Sequence, residues 1–272
     1  LEKHSIHQPS AERIALHTSA KLIKEHFGFQ HQPVVISNAC ISGLLGILVA
    51  RRLISSGQYD HAVIAGADII SKFVLSGFQS FQAVSPEPCK PFDKTRQGIS
   101  LGEGAATVIL SRDKKTTNDI KVMGGAVSND ANHISAPSRT GNELAYIIKK
   151  IMKDAGTTAG EIDLVSAHGT ATIYNDEMEA KAINLAGLEN VPTNSLKGYY
   201  GHTLGAAGLI ETIISVRSLQ EGMIIPTKGF ENTDPSAQLN ITKELIRRPL
   251  QNCVKTASGF GGCNAAVLFS KQ

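Results

Sequence analysis

The stretch SNACISG, residues 37–43, decides the fold. It places Cys40 where a short apolar run, residues 33–37, gives way to a helix predicted over residues 41–56. A lone cysteine is most often a small buried hydrophobe. At the start of a helix, however, unpaired N–H groups stabilise a thiolate and lower its pKa, which favours a nucleophile. This stretch alone leaves both roles open for Cys40.

The composition is typical of a globular protein and excludes several classes of function. The 272 residues are 42% hydrophobic and 19% charged, and the net charge of +3 is too small to indicate nucleic-acid binding. No apolar run has the length of a membrane span. Four scattered cysteines without a zinc-like pattern favour free thiols over a disulfide, a cytoplasmic location and no metal site.

Strands and helices alternate along the chain, which predicts an α/β fold around a mostly parallel sheet. We expect residues 1–9 to be loop and residues 71–104 to be an irregular segment that carries part of a site. Helices are expected from Ser10 to Gly28 and over 41–56, 141–155, 176–187 and 205–221. Strands are expected over 33–37, 61–67, 105–111, 120–128, 162–167, 253–258 and 264–270.

The polar run over residues 112–119 divides the chain into predicted halves, 1–115 and 116–272. Each half ends in a glycine-rich turn followed by an apolar strand, GEGAATVILS in the first and GFGGCNAAVLFS in the second. This similarity indicates a weak internal repeat. The strands over 61–67 and 105–111 are continuously apolar, which predicts buried strands, the first of them parallel.

Two histidines lie in glycine-rich surroundings at the ends of predicted elements. His168, in SAHGTAT, follows a strand, and His202, in GYYGHTLGAAG, precedes a helix and comes five residues after Lys197. A lone histidine in either place is more often structural. Parallel sheets, however, carry their sites beyond the carboxyl ends of their strands, where both Cys40 and His168 lie. In the turn GFGGC, the N–H group of Phe260 is a candidate donor to a substrate carbonyl.

Taken together, these motifs resemble the elongating, decarboxylating β-ketoacyl-acyl-carrier-protein synthases of the thiolase superfamily. The matching segments follow the family's order from about Pro33 to the end of the chain. They are SNACISG, CKPFDKTRQGISLGEGAATVILS, VSAHGTATIYNDEMEA, NSLKGYYGHTLGAAG, IPTKGFENTDP and SGFGGCNAAVLFS. The resemblance implies a thiolase-like, layered αβαβα fold with two pseudo-repeated halves. Because few residues precede Cys40, we expect the first half to be truncated at its N-terminus.

The resemblance also implies a Cys-His-His triad of Cys40, His168 and His202. Cys40 would carry an acyl chain, and both histidines would donate hydrogen bonds to the malonyl thioester carbonyl as carbon dioxide leaves, which gives 3-oxoacyl-acyl-carrier protein. The N–H groups of Cys40 and Phe260 would form an oxyanion hole, and the Phe260 side chain would gate the acyl pocket. Lys197 would pair with Glu179, with Asp176 in the same supporting network. Thr170 and Thr172 would contact the pantetheine arm.

The partners that the resemblance implies are an acyl-carrier protein and a second copy of the chain. The homodimer would form through the strand over residues 33–37. No cofactor is implied beyond the phosphopantetheine of the carrier protein, and neither nucleic acid nor a membrane is expected.

Three other functions compete with this interpretation. A thiolase would need a second catalytic cysteine, but Cys263 is followed by Asn264 rather than glycine, so we expect it to be structural. A cysteine hydrolase would release free acid without a malonyl donor. A non-catalytic partner subunit resembling a chain-length factor is favoured by the short region before Cys40 and disfavoured by the complete triad.

Overall fold

The computed structural model describes residues 15–113 and 116–272. It divides into two compact units, one that ends at Ser37 and one from Asn38 to Gln272. The loop predicted over residues 1–9 and the first residues of the helix predicted from Ser10 lie outside the described residues. In the first unit, helix α1 (Leu16–Phe27) ends at Gly28, whose φ of 67° is the left-handed conformation that glycine adopts readily.

The strand predicted over residues 33–37 does not form among the described residues. A strand is defined by a ladder of hydrogen bonds to a neighbour, and this segment belongs to no sheet of the described residues. Val34 and Val35 are accordingly 63% and 43% exposed. The apolar residues that suggested a buried strand therefore lie at the surface of this unit.

The second unit alternates helices and strands close to their predicted bounds. Its helices are α2 (Ser42–Ser55), α3 (Lys72–Ser80), α4 (Asn142–Ala155), α5 (Ile173–Leu185), α6 (Lys197–Tyr200) and α7 (Ala207–Glu221). Its strands are β1 (His61–Asp68), β2 (Gly104–Ser111), β3 (Ile120–Asn129), β4 (Leu164–Ser166), β5 (Thr193–Asn194), β6 (Met223–Ile224), β7 (Ile246–Arg247), β8 (Asn252–Gly259) and β9 (Cys263–Lys271).

Helix α3 lies in the segment that we expected to be irregular. Its N-cap Ser71 accepts a hydrogen bond from the N–H group of Val74, so a capping signal was present in the sequence.

The central sheet has the strand order β3-β9-β8-β4-β5. Strand β4 runs parallel to β5 and β8, whereas β9 runs antiparallel to β3 and β8. The expectation of a mostly parallel sheet was therefore wrong. A short turn joins β8 directly to β9, and strands joined in this way can only be antiparallel.

Strands β1 and β2 form a separate antiparallel pair, with His61 opposite Ser111. Burial alternates along both strands, and Val63 and Ile109 are 45% and 66% exposed. The prediction of continuously buried strands, the first of them parallel, was therefore wrong. Among the described residues only one face of this pair is covered, because α2 and α7 pack on that face.

Helices α2 and α7 form a layer between the two sheets, and glycines allow their backbones to approach closely. A Cβ atom on Gly43 would lie 2.7 Å from the nitrogen of Leu209, and one on Gly208 would lie 2.8 Å from the nitrogen of Leu44. Helix α4 packs on β3 and β9 and against α5. The described residues thus build a layered β-α-β-α arrangement in which Cys40 precedes the inner helix α2.

The predicted boundary between residues 115 and 116 falls between β2 and β3, at a point where residues 114 and 115 lie outside the described residues. Asn38 to Gln272 form one compact unit that includes residues of both predicted halves, so the division into two domains stays a prediction. No helix among residues 15–113 and 116–272 has the length and apolarity needed to cross a membrane.

Candidate active site

Cys40 occupies a tight turn immediately before α2. Ala39 has a φ of 43°, a left-handed conformation that is unusual for a residue with a side chain. The Ser42 hydroxyl holds the turn, since it accepts a hydrogen bond from the N–H group of Asn38 and donates one to the carbonyl oxygen of Ala39, both at 2.7 Å. A strained turn that is this well supported is a common feature of reactive residues.

Burial raises the pKa of the Cys40 thiol to about 11. The positive charge of Lys197 and a hydrogen bond from the Phe260 N–H group lower this pKa, while the negative charge of Asp68 raises it. We expected a lowered pKa, and this expectation was wrong because desolvation of the thiolate outweighs the favourable charges and donors. The resting nucleophile is therefore a thiol at neutral pH.

His168 follows β4, and hydrogen bonds of its backbone groups hold it in place. The N–H groups of His168 and Gly169 donate to the two carboxylate oxygens of Glu179 at 2.8 and 2.7 Å. The ammonium group of Lys197 lies 2.6 Å from the carbonyl oxygen of His168 and 3.2 Å from its Nδ1. An ammonium group can only donate, so Nδ1 is the acceptor and the ring proton resides on Nε2.

His202 has the same tautomer, but a different hydrogen bond sets it. Its Nδ1 accepts a hydrogen bond from the N–H group of Leu204 at 3.2 Å, which leaves the ring proton on Nε2. Its own N–H group donates to the carbonyl oxygen of Ser100 at 2.7 Å. The rings of His168 and His202 meet edge to face, with centroids 5.0 Å apart.

Both imidazoles are neutral. Burial and then the positive charge of Lys197 lower the pKa of His168 and of His202 well below the usual value of 6.5. A neutral ring with its proton on Nε2 donates a hydrogen bond without carrying charge. The two histidines therefore form a pair of neutral donors.

The carboxylate partner of Lys197 is Glu211 rather than Glu179. Lys197 Nζ lies 2.6 Å from Glu211 Oε1, and both side chains are fully buried. Glu179 instead binds backbone N–H groups and accepts a hydrogen bond from the Thr256 hydroxyl at 2.6 Å. Our expectation of a Lys197–Glu179 pair was wrong. Glu211 is the only charged residue in the first half of α7, which was a usable signal in the sequence.

Asp176 supports the loop that carries Thr170. It accepts hydrogen bonds from the N–H groups of Phe92, at 2.7 Å, and Thr170, at 2.9 Å. Burial raises the pKa of its carboxyl group to about 6, although the Phe92 N–H group and the charge of Arg96 oppose this. The hydroxyl groups of Thr170 and Thr172 are 2.9 Å apart.

Phe260 lies in the turn between β8 and β9 and belongs to an aromatic cluster. Its ring stacks on Phe78 and meets Phe81 edge to face, with centroids 5.4 Å apart in both cases. A Cβ atom on Gly259 would lie 3.1 Å from the nitrogen of Cys40, so a glycine allows this turn to approach the nucleophile. Phe78 and Phe81 lie in the segment 71–104 that was expected to carry part of a site, but sequence reasoning did not single them out, because their contact with Phe260 depends on tertiary structure.

One cavity of about 350 Å³ brings the predicted reactive groups together. It is lined by Cys40, His168, His202, Thr170, Thr172 and Phe260, and also by Phe78 and Phe81. Lys197, Asp176 and Glu179 are not part of this lining and hold the lining residues from behind. A thiol that faces two neutral donors can exchange acyl groups with a thioester whose carbonyl oxygen those donors bind.

Comparison with known proteins agrees with this geometry. Two family models match the chain, the N-terminal domain of β-ketoacyl synthases over residues 5–116 and the C-terminal domain over residues 120–231. The chain is 34% identical to a 3-oxoacyl-[acyl-carrier-protein] synthase 2 of Vibrio cholerae, covering 90% of this chain and 64% of that protein. It is 32% identical to the nodulation protein E of Rhizobium leguminosarum bv. trifolii, covering 86% of this chain and 60% of that protein.

A solved structure confirms the thiolase-like ketosynthase fold. It is a ketosynthase in complex with its chain length factor from Xenorhabdus doucetiae, and it matches with a TM-score of 0.91 at 30% identity, over 99% of this chain and 68% of that one. The chain thus spans about two thirds of the length of these relatives. The chain belongs to the β-ketoacyl synthase family.

Proposed function

We propose that this chain catalyses the decarboxylative Claisen condensation of an acyl thioester with malonyl-acyl-carrier protein. The supporting observation is the cavity that Cys40 lines together with two neutral imidazoles, each with its Nδ1 already engaged as an acceptor. That arrangement suits a reaction that needs a nucleophile first and a pair of carbonyl donors afterwards.

In the first half-reaction the Cys40 sulfur attacks an acyl thioester. The new bond joins sulfur to the acyl carbon, the old carbon–sulfur bond breaks, and the thiol proton of Cys40 leaves with the released carrier thiol. The Phe260 N–H group lies close enough to the sulfur to lower the pKa of the thiol, so it lies near the place where the oxyanion develops. Whether Phe260 and the Cys40 N–H group together form the oxyanion hole stays a prediction.

In the second half-reaction malonyl-carrier protein loses carbon dioxide. The bond to the carboxylate breaks, and its electron pair moves into an enolate whose oxygen accepts hydrogen bonds from Nε2 of His168 and Nε2 of His202. The enolate carbon then attacks the acyl group on Cys40, the carbon–sulfur bond breaks, and the released Cys40 thiolate takes up a proton from water to restore the thiol. Each donor in such a site is typically worth about 3 to 4 kcal/mol of barrier.

The substrates in this proposal are carried on the phosphopantetheine arm of an acyl-carrier protein, and the protein needs no cofactor of its own. The arm would pass the hydroxyl groups of Thr170 and Thr172, which line the cavity. The name of the Vibrio cholerae relative supports a carrier-protein substrate. We further propose a homodimer and a cytoplasmic location; all four cysteines are free thiols.

The test is acyl transfer to Cys40. The protein is incubated with an acyl-carrier protein loaded with a medium-chain acyl group, and its intact mass is measured. We expect one acyl group per chain in the wild type, on the peptide that contains Cys40, and none in Cys40→Ala. A well-folded wild type that remains unmodified would contradict the proposal. Release of free acid without a malonyl donor would favour the hydrolase instead.

A second candidate function is a non-catalytic partner subunit. The likeness to a ketosynthase solved together with a chain length factor favours it, while the retained triad disfavours it. This candidate predicts a protein that is inert alone but changes the product length of an active synthase when the two are mixed.

A further inference from the structure

Lys255 is a second buried lysine behind the active site. It lies on β8 and its side chain is fully buried. A buried ammonium group is costly unless charged and polar partners surround it. The contacts of Lys255 are therefore informative about why the chain places a lysine in this position.

Its ammonium group binds the backbone immediately before His168. Lys255 Nζ lies 3.1 Å from the carbonyl oxygen of Ser166 and 3.3 Å from that of Ala167, and it donates to the carbonyl oxygen of Thr256 at 2.6 Å. Strands β4 and β8 are parallel here, with Ser166 beside Lys255. The lysine thus holds the last two carbonyl groups before His168.

The same ammonium group lies against the carboxylate that holds Lys197. Glu211 Oε2 is 2.8 Å from Lys255 Nζ, and Glu211 Oε1 is 2.6 Å from Lys197 Nζ. One carboxylate therefore bridges two lysines. Lys197 in turn donates to Nδ1 of His168, so both sets of contacts made by Lys255 lead to the same imidazole.

The contact that sets the His168 tautomer is the weakest one that Lys197 makes. Its distance is 3.2 Å, whereas the contacts to the His168 carbonyl oxygen and to Glu211 are both 2.6 Å. If Lys255 were absent, Glu211 would lose the partner of its second oxygen and could turn both oxygens toward Lys197. The bond to Nδ1 is then the first to be lost.

We propose that Lys255 is a positioning residue for the decarboxylation half-reaction: it fixes Glu211 and the backbone before His168, so that Nε2–H of His168 meets the thioester carbonyl. This proposal rests on the proposed function. It predicts that loss of Lys255 slows decarboxylation but not acyl transfer, because acyl transfer depends first on Cys40 and the turn around Phe260. A misplacement of about 1 Å at a reacting group can reduce a rate about 100-fold.

The test uses Lys255→Met, which keeps most of the length of the side chain and removes its charge. We expect acyl transfer to Cys40 within about 2-fold of wild type and kcat for malonyl-carrier-protein decarboxylation at least about 10-fold lower, with KM unchanged. Lys149→Met, at an exposed position on α4, is the surface control, and Ile151→Val, at a buried position on the same helix, controls for lost stability. Equal losses in both half-reactions, or none in decarboxylation, would overturn the proposal.

Two further measurements test the role of Lys255. The double variant Lys255→Met with Glu211→Gln should lose less decarboxylation rate than the two single losses multiplied together, because part of the effect of Lys255 passes through Glu211; fully multiplicative losses would contradict this. Nitrogen-15 spectra of the imidazoles should show a single Nε2–H tautomer for His168 in wild type and a mixture in Lys255→Met. Identical spectra of the two proteins would overturn the role of Lys255, whether or not the wild type is acylated. Failure of the wild type to acylate would instead refute the proposed function.

Discussion

At the scale of single residues, the active site combines a protonated nucleophile with uncharged donors. Burial explains both properties, since it raises the pKa of Cys40 and lowers the pKa values of His168 and His202. Lys197 adds to the effect on the histidines and opposes it on the thiol. The site is thus adapted to donate hydrogen bonds at neutral pH, and the thiol loses its proton only as it attacks.

The reactivity of Cys40 should report this raised pKa directly. Because the folded-state pKa is about 11, we expect the rate of Cys40 alkylation by iodoacetamide to rise with pH up to about that value. The rate is followed by mass spectrometry of the peptide that contains Cys40, with Cys263, which is less buried, as the internal comparison. An apparent pKa below 9 for Cys40 would contradict the burial argument.

The same pKa shift affects stability above pH 9. A thiol whose pKa rises from 9.0 to about 11 on folding stabilises the protein fully below pH 9, and this contribution is lost as pH rises from 9 to 11. Relative to Cys40→Ala, the wild type should therefore lose about 2 kcal/mol of unfolding free energy between pH 8 and pH 10.5. Urea unfolding of both proteins at the two pH values measures the difference in unfolding free energy between them. A difference that stays constant with pH would contradict a raised pKa of the Cys40 thiol.

At the scale of elements, the contact of α2 with α7 determines where Cys40 lies. Gly43 and Gly208 allow the two helix backbones to touch, and Gly205, just before α7, donates its N–H group to Asp68 at 2.8 Å. His202 lies in the loop that leads into α7. The helix crossing therefore links the nucleophile to one of the two donors.

Substituting the contact glycine should destabilise the protein, whereas an open glycine should tolerate the same change. In Gly43→Ala the new Cβ atom would lie 2.7 Å from the Leu209 nitrogen and 2.9 Å from the Gly205 carbonyl oxygen, so we expect a loss of about 1 to 3 kcal/mol. Gly77→Ala, on α3, meets nothing within 4 Å and should gain about 0.5 to 1 kcal/mol. Urea midpoints compare the two variants; equal midpoints would show that the helices can separate without cost.

The sequence predicted local features well and long-range pairing poorly. The pattern around Cys40, His168 and His202 indicated the elements that carry them, because helix periodicity and glycine-rich turns are local signals. The isolated charge of Glu211 in the first half of α7 was a signal that this residue has a role, but only the fold shows that Glu211 rather than Glu179 reaches Lys197. The antiparallel direction of β9, in contrast, could have been predicted, because only residues 259–263 separate the two expected strands, which is too short for a parallel crossover.

At the scale of the whole chain, the described residues leave one face of a strand pair exposed. The chain spans about two thirds of the relatives' length, and the described β1–β2 pair has an uncovered face that includes Val63 and Ile109. The sequence could not predict this exposure, because a continuously apolar strand has the same residue pattern whether one face or both faces are covered. The cavity of the active site, in contrast, is formed entirely by residues of the described second unit.

The proposed homodimer is tested best at residues 33–37. An apolar segment that has no strand partner among residues 15–113 and 116–272 can pair with the same segment of a second copy, which would bury Val34 and Val35. Multi-angle light scattering at micromolar concentration should therefore give twice the mass of one chain. Val34→Asp should shift the protein toward monomer, because a carboxylate opposite its own copy is repelled, whereas Tyr146→Asp, at an exposed position on α4, should leave the mass unchanged. A wild-type monomer at that concentration, or a Val34→Asp dimer as stable as wild type, would exclude pairing through this segment.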